Sequence, residues 1–204
     1  VTAMTERSPT MDASGEVDFD SMLRTVEQMD TPDGWKAELI RGKIVVSPRS
    51  KIRYAKPMRL LRKQLAEHAP EGHEADSAPF LFAFPSAHRA YGPDLHVADE
   101  AAFEGEGRHA DGAALSLVAE FTAVSTRDAD WDEKLEVYGR VVPVYLVVDM
   151  QVREITVFWD PSPKGYQGHR TVAFGKPVRV PEPFGFELDT SGFGEAGSAD
   201  SSAG

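Results

Sequence analysis

Apolar residues recur along this chain in two periods. Phe19, Met22, Leu23, Val26 and Met29 stand three or four apart, which predicts a helix capped by Asp18 or Asp20. Thr31-Pro-Asp-Gly34 is a turn by composition, since proline presets φ and glycine tolerates φ > 0. WKAELIRGKIVVSP then holds two short apolar runs broken at Arg41-Gly42. It predicts a hairpin, with Glu38 on the first strand and Ser47-Pro48 ending the second. Met58, Leu61 and Leu65 predict a helix from about Ile52 to His68; Pro57 lies near its first turn, and Pro70 and Gly72 end it. PFLFAF (79–84) and Tyr91–Val97 predict strands, the second with Asp94 and His96 on one face and Leu95 and Val97 on the other. Residues 99–112, polar and glycine-bearing, predict a connection or a short helix with a loop.

The pattern is most informative from Leu115 to Tyr138. Leu115–Phe121 predicts an apolar strand that carries one acid, Glu120. A polar turn follows, and Asp130 with Glu133 resembles a capping box that would start a helix near Trp131. Trp131, Leu135 and Tyr138 form its apolar stripe. Lys134 is i+3 from Trp131 and i−4 from Tyr138, so it points along the packing face. PVYLVVD (143–149) is a continuous apolar run, as in a strand buried on both faces. Residues 153–159, 169–174 and a piece near 178–180 predict antiparallel strands joined by Pro/Gly turns. The expected architecture is a single α/β (α+β) domain over 18–193, its mixed sheet flanked by helices and extended by antiparallel strands at the C-terminus. Residues 1–17 and 194–204 lack periodicity and predict a disordered leader and tail.

Composition narrows the chemistry. The chain has 204 residues, 41% hydrophobic and 27% charged, which suits one globular domain with a real core. It has no cysteine, so disulfides, thiolate zinc sites and cysteine nucleophiles are excluded. No apolar run approaches the roughly 20 residues of a membrane span, and the start lacks a secretory layout, so a cytoplasmic protein is expected. The net charge of −11 argues against a generic nucleic-acid coat. The charge is segregated, however. Leu39–Ala66 contains no Asp or Glu but carries Arg41, Lys43, Arg49, Lys51, Arg53, Lys56, Arg59, Arg62 and Lys63. Such a cluster is either a solvated face or a polyanion contact.

A lone carboxylate in an apolar strand is costly unless paired, hydrogen-bonded or metal-bound, so Glu120 is a candidate ligand or an acid meeting solvent or an arginine at the strand's end. Asp94, after Gly92-Pro93, is a turn-stabilising residue or a second ligand. Together the two suit Mg²⁺ or Mn²⁺, which prefer oxygen donors. Lys134 is a snorkelling side chain or an ammonium beside those carboxylates, placed to offset charge on a phosphoryl group. Glu38 is a further candidate ligand, and His96 shares a face with Asp94. No GxxxxGK[ST] loop and no GxSxG elbow is present.

Pro93-Asp94 on one strand, Glu120 on the next and a nearby Lys134 resemble the PD-(D/E)xK phosphodiesterase superfamily of restriction-endonuclease-like folds. The ordered set Glu38-Leu-Ile-Arg-Gly42-Lys-Ile, Ser47-Pro48, Pro93-Asp94, Glu120, Ser125-Thr126, Asp130, Lys134, Tyr138 and Val144–Asp149 is similar to the Uma-two family of "putative restriction endonucleases". The resemblance implies Asp94, Glu120 and Lys134 as the catalytic set, Asp94 and Glu120 as metal-binding carboxylates, and Glu38 as an auxiliary acid. Its lysine has moved from the strand to the helix, which leaves Thr122 two positions after Glu120. The sequence departs from the family at Ala123-Val124, where Ser-Pro is common, and at Tyr54, where histidine is common. The expected function is Mg²⁺- or Mn²⁺-dependent hydrolysis of nucleic acid, DNA in the first instance, gripped by Arg41, Lys43, Arg49, Lys51, Arg53 and Lys56. A homodimer is expected, since cutting a duplex calls for two sites. The alternatives are a catalytically silent nucleic-acid-binding or interaction module on the same fold and a hydrolase of small phosphoesters.

Overall fold

Asp18 opens the first helix by accepting a hydrogen bond from the Ser21 N–H, 3.2 Å. That helix, α1 (Phe19–Gln28), leads into the hairpin β1 (Trp35–Ile40) and β2 (Lys43–Pro48) in a computed structural model that describes residues 18–48, 52–77, 80–122 and 133–194. The expected leader, the tail beyond Gly194, Arg49, Lys51, Ser125-Thr126, Asp130 and Trp131 lie outside the described residues. The hairpin turn is Arg41-Gly42, with φ of 50° and 67°. Two positive φ values in a two-residue loop match the right-handed twist of the strands, and glycine supplies one of them without strain.

A 3₁₀ turn at Ile52–Tyr54 then runs into α2 (Ala55–Glu67), followed by β3 (His73–Asp76), β4 (Leu81–Phe84), β5 (Arg89–Tyr91) and β6 (Leu95–Asp99). After β7 (His109–Asp111) come β8 (Leu115–Thr122), α3 (Leu135–Val141), β9 (Val144–Asp149) and β10 (Glu154–Trp159). The chain closes with β11 (Gly168–Ala173), β12 (Val178–Val180) and β13 (Phe186–Leu188). One sheet has the order β2-β1-β5-β4-β7, a second β11-β10-β9-β8-β6-β3, and β12-β13 pair alone. Both larger sheets are mixed, because β4 runs parallel to β7 and β8 parallel to β9.

Period-2 alternation builds the layers. On one face of the second sheet, Leu95, Val97, Leu117, Ala119, Leu146, Val148 and Ile155 pack against Leu61 and Leu65 of α2 and against Val178, Val180, Phe186 and Leu188. Burial of each such side chain contributes about 2 kcal/mol. The C-terminal strands thus spend their apolar faces inside this core. On the opposite face, Val118, Tyr145, Val147 and Phe158 meet Phe82, Phe84 and Tyr91 of the first sheet and Tyr138 of α3. The outer face of the first sheet, Leu39, Ala83 and Ala90, is covered by Leu23 and Val26 of α1.

The mixed α+β architecture with added C-terminal antiparallel strands is the expected one, carried by two sheets instead of one. The apolar pattern over Tyr91–Val97 divides: β5 belongs to the first sheet and β6 to the second, and the chain crosses between them at Gly92-Pro93-Asp94. β3 and β13 carried no readable alternation. β3 (HEAD) buries only Ala75, and β13 is three residues long. The connection expected over 99–112 contains a 3₁₀ turn at Glu100–Phe103 and the short strand β7.

Candidate active site

The site lies where the chain crosses from one sheet to the other. On β1, Ala37 and Leu39 face α1, so Lys36, Glu38 and Ile40 face inward between the sheets. On β8, Glu120 and Thr122 share the inward face with Val118. Gly92-Pro93-Asp94 bridges the two, and Lys134 enters from the start of α3. Four ionised side chains are then placed among apolar walls, with Glu38 at 3%, Glu120 at 2% and Lys134 at 2% exposure.

These charges alternate around a ring. The Lys134 ammonium donates to Glu120 Oε1 at 2.7 Å and lies 3.2 Å from Glu38 Oε1. The Lys36 ammonium lies on the other side, 3.6 Å from Glu38 Oε2 and 4.0 Å from Glu120 Oε2. Both charges of β1 also clasp one glycine: Gly92 N–H donates to Glu38 Oε1 at 2.9 Å, and Lys36 donates to Gly92 C=O at 2.8 Å. Asp94, two residues on, accepts from Phe121 N–H at 2.8 Å through Oδ2. That bond ties the crossing segment to the residue after Glu120 and brings the two acids side by side.

Burial opposes ionisation of Glu38 and of Lys36, and their partners in the ring reverse it. For Glu38, desolvation pushes the carboxyl up, but the charges of Lys134 and Lys36 and the Gly92 N–H hold it below the ordinary range. For Lys36, desolvation lowers the ammonium's pKa and so does Lys134. Glu38, Glu120 and Asp94 outweigh both, leaving it above the usual lysine value. The Lys134 ammonium also sits over the Tyr91 ring, 5.6 Å from its centroid. Burial raises the Tyr138 hydroxyl pKa well above the ordinary range, and the Glu120 charge adds to the shift. Among the described residues, neither that hydroxyl nor the buried Thr122 Oγ1 has a hydrogen-bond partner.

Glu133, whose expected capping partner Asp130 lies outside the described residues, clasps the first sheet. Its carboxylate accepts from Arg41 at the hairpin turn and from Arg89 on β5, and its Oε1 lies 3.4 Å from the Tyr91 hydroxyl. Desolvation would raise its pKa, but the two guanidinium groups hold it low. Residues 133–134 form a π-type turn before regular α3 begins at Leu135. The clasp locks the residue next to Lys134 to the first sheet, which fixes where the lysine emerges.

The remaining candidates divide by place. Arg41 is engaged by Glu133, and Lys43 is exposed at the start of β2. Arg53 and Lys56 are exposed around the start of α2, with the Arg53 guanidinium over the ring of buried Tyr54. A cavity of about 450 Å³ opens there, with Ile52, Ala55 and Met58 on one side and Lys36, Gly92 and Asp94 on the other. The basic helix start and the acidic crossing segment thus share one cavity. His96 is elsewhere, among the rings of Phe80, Phe82 and Phe103, where burial pushes it down to about 4 against the opposing pull of Asp76.

Lys36, Arg89 and Glu133 are the site residues that pattern reading passed over. Lys36 was within reach of it: Lys36, Glu38 and Ile40 alternate with Ala37 and Leu39, so a strand placing Glu38 inward places Lys36 inward too. Arg89 gave no such signal, since β5 is three residues long. Among the described residues, no three His, Asp or Glu side chains are grouped closely enough to enclose a metal ion, and no helix is long and apolar enough to cross a membrane.

Comparison with known proteins agrees with the fold. The crystal structure of a "putative nuclease belonging to DUF820 from Anabaena variabilis ATCC 29413" superposes with a TM-score of 0.66 at 13% sequence identity, over 87% of this chain and 97% of that one. No curated protein sequence matches the chain. The family Uma2, described as "Putative restriction endonuclease", matches residues 23–191, and the chain belongs to that family.

Proposed function

We propose that the protein is a nuclease that hydrolyses phosphodiester bonds of nucleic acid, DNA in the first instance, with Mg²⁺ or Mn²⁺ held by Asp94 and Glu120. The observation that carries this reading is the convergence of Asp94, Glu120 and Lys134 beside a cavity whose other wall begins a basic helix. The donor set suits the ion. Mg²⁺ commonly takes one or two carboxylates and keeps several waters, so it needs no three-residue cage. Among the described residues, Asp94 engages a backbone N–H through Oδ2, and the Thr122 hydroxyl, without a hydrogen-bond partner there, lies on the Glu120 face of β8. Glu38 stands one step back, its oxygens taken by Gly92 N–H and the two ammoniums, and orients the crossing segment.

A divalent ion bound there would supply an activated water and charge for the leaving oxygen. Lys134, oriented by Glu120 and Glu38, would bring its ammonium charge to a phosphoryl oxygen or the attacking water. Lys43, Arg53 and Lys56 offer phosphate contacts independent of base sequence. A homodimer acting on both strands of a duplex belongs to the same proposal, and light scattering of the purified protein tests it.

The deciding experiment is cleavage of supercoiled plasmid and labelled oligonucleotides with Mg²⁺, with Mn²⁺ and with chelator. Wild type should cut only with metal. Asp94→Asn, Glu120→Gln and Lys134→Met should each lose at least about a hundredfold in rate. Metal-independent cutting, or full activity in Glu120→Gln, overturns the proposal. The lack of a three-ligand group among the described residues favours a second reading, a nucleic-acid-binding module without catalysis. Salt-sensitive binding with no cleavage under any metal selects it.

A further inference from the structure

We propose that the Lys36 ammonium serves as a built-in second cation of this site, so that the chain takes one divalent ion where its three carboxylates would otherwise take two. The inference rests on the metal-dependent reading above and concerns a residue that reading leaves idle.

Lys36 is the one ring member that lines the cavity. Around its Nζ are Gly92 C=O at 2.8 Å, Glu38 Oε2 at 3.6 Å and Glu120 Oε2 at 4.0 Å, with the Asp94 charge also acting on it. Carboxylate oxygens with a backbone carbonyl are the donors a hard divalent ion takes. An ammonium supplies one positive charge there without coordination bonds. Lys134 does not duplicate this role, since it faces the Oε1 atoms of the same two acids from the other side. Asp94, Glu120 and Glu38 carry three negative charges, and the two lysines leave a single one uncompensated. One divalent ion more than neutralises that remainder. A second would sit against Lys36 itself, and like charges a few ångström apart repel by several kcal/mol even at an effective dielectric of about 20.

The position also explains the Gly92 clasp. An exchangeable metal ion at that point would leave Gly92 C=O and Glu38 Oε2 without the permanent partner they have in Lys36, whereas the lysine keeps the crossing segment, and with it Asp94, in place before any ion binds. Lys36 is therefore a positioning residue as well as a charge.

The test is the number of Mn²⁺ ions bound per chain, counted by titration calorimetry and by electron paramagnetic resonance of free Mn²⁺. The protein is the full chain without nucleic acid. Wild type and Lys36→Arg, which keeps the charge, should bind one. Lys36→Met should bind two, with the first at least about tenfold tighter than in wild type. Two ions per wild-type chain overturn the proposal without any variant, and one ion in a folded Lys36→Met overturns it equally. No binding to either protein removes the metal reading along with it.

Discussion

Replacing Glu38 with glutamine tests whether the charge ring exists as described. The side chain keeps its shape and can still accept from Gly92 N–H, so the change isolates the charge. Glu38 attracts Lys134 across 3.2 Å and Lys36 across 3.6 Å. At an effective dielectric of about 20, each contact is worth roughly 5 kcal/mol of Coulomb energy. Against this stands the several kcal/mol it costs to desolvate a carboxylate, and glutamine avoids that cost. The remaining Glu120 also still serves both ammoniums. The net loss expected for removing one partner of a buried pair is about 3 kcal/mol, which for a chain of this size lowers the melting temperature by roughly 6–12 °C.

Urea denaturation at neutral pH measures this loss, and a pH series gives a second signature. The Glu38 carboxyl is held below its ordinary 4.5, so its contribution is complete above that value and fades as pH falls through the depressed native one. The gap between wild type and Glu38→Gln should therefore close in acid. A loss under about 1 kcal/mol, or a gap unchanged on acidification, would refute the mutual compensation of charge within the ring.

Three further outcomes follow from the same geometry. His96 is neutral in the fold, pushed to about 4 from 6.5, so the unfolded chain takes up its proton first and stability drops as pH falls from 6.5 toward 4. The full effect is roughly 3 kcal/mol, about 2 of it between pH 7 and pH 5, and His96→Leu should abolish that slope in urea titrations; an unchanged slope sinks the assignment. Glu133→Gln should loosen the Arg41 and Arg89 clasp and lower catalytic rate through Lys134 while leaving metal affinity unchanged; weakened Mn²⁺ binding in calorimetry would contradict it. Arg53→Gln with Lys56→Gln should reduce the slope of log affinity against log salt by about 2 on duplex DNA, and an identical slope would place the phosphate contacts elsewhere.

What the pattern of residues revealed depended on how far each signal reached. Helices α1 and α2 and the strands β8, β9 and β10 have long periods and large apolar content, so alternation or helical spacing located them. Glu120 and Lys134 stood out because a charge in an apolar run is a local anomaly. The division of Tyr91–Val97 between two sheets was hidden, since both halves alternate in register and only tertiary pairing separates them. The Glu133 clasp was hidden for the same reason. The spacing of Glu133 from Asp130 satisfies a local rule, and the two arginines that its carboxylate engages are distant in the chain. Lys36 lay within a readable alternation, as the inward neighbour of Glu38 on β1.

The ring is hard to justify as a stabilising device. A buried set of two acids and two lysines could be exchanged for apolar side chains of similar volume with little loss and often some gain. Its members are also not spread through the core. They sit at a point where the chain passes between sheets, from β5 to β6, and they grip both the N–H and the C=O of Gly92, which fixes Asp94 two residues on. A fold selected for stability alone would close this junction with the valines and leucines that fill the rest of both sheets. On the metal-dependent reading proposed above, holding an aspartate beside a glutamate and an ammonium at the wall of an open cavity arranges charge in advance of a ligand. The stability the ring forgoes is the measure of that arrangement. Lys36→Met and Glu38→Gln should accordingly separate from core substitutions of equal cost, because they change what the site binds and not only how firmly the chain folds.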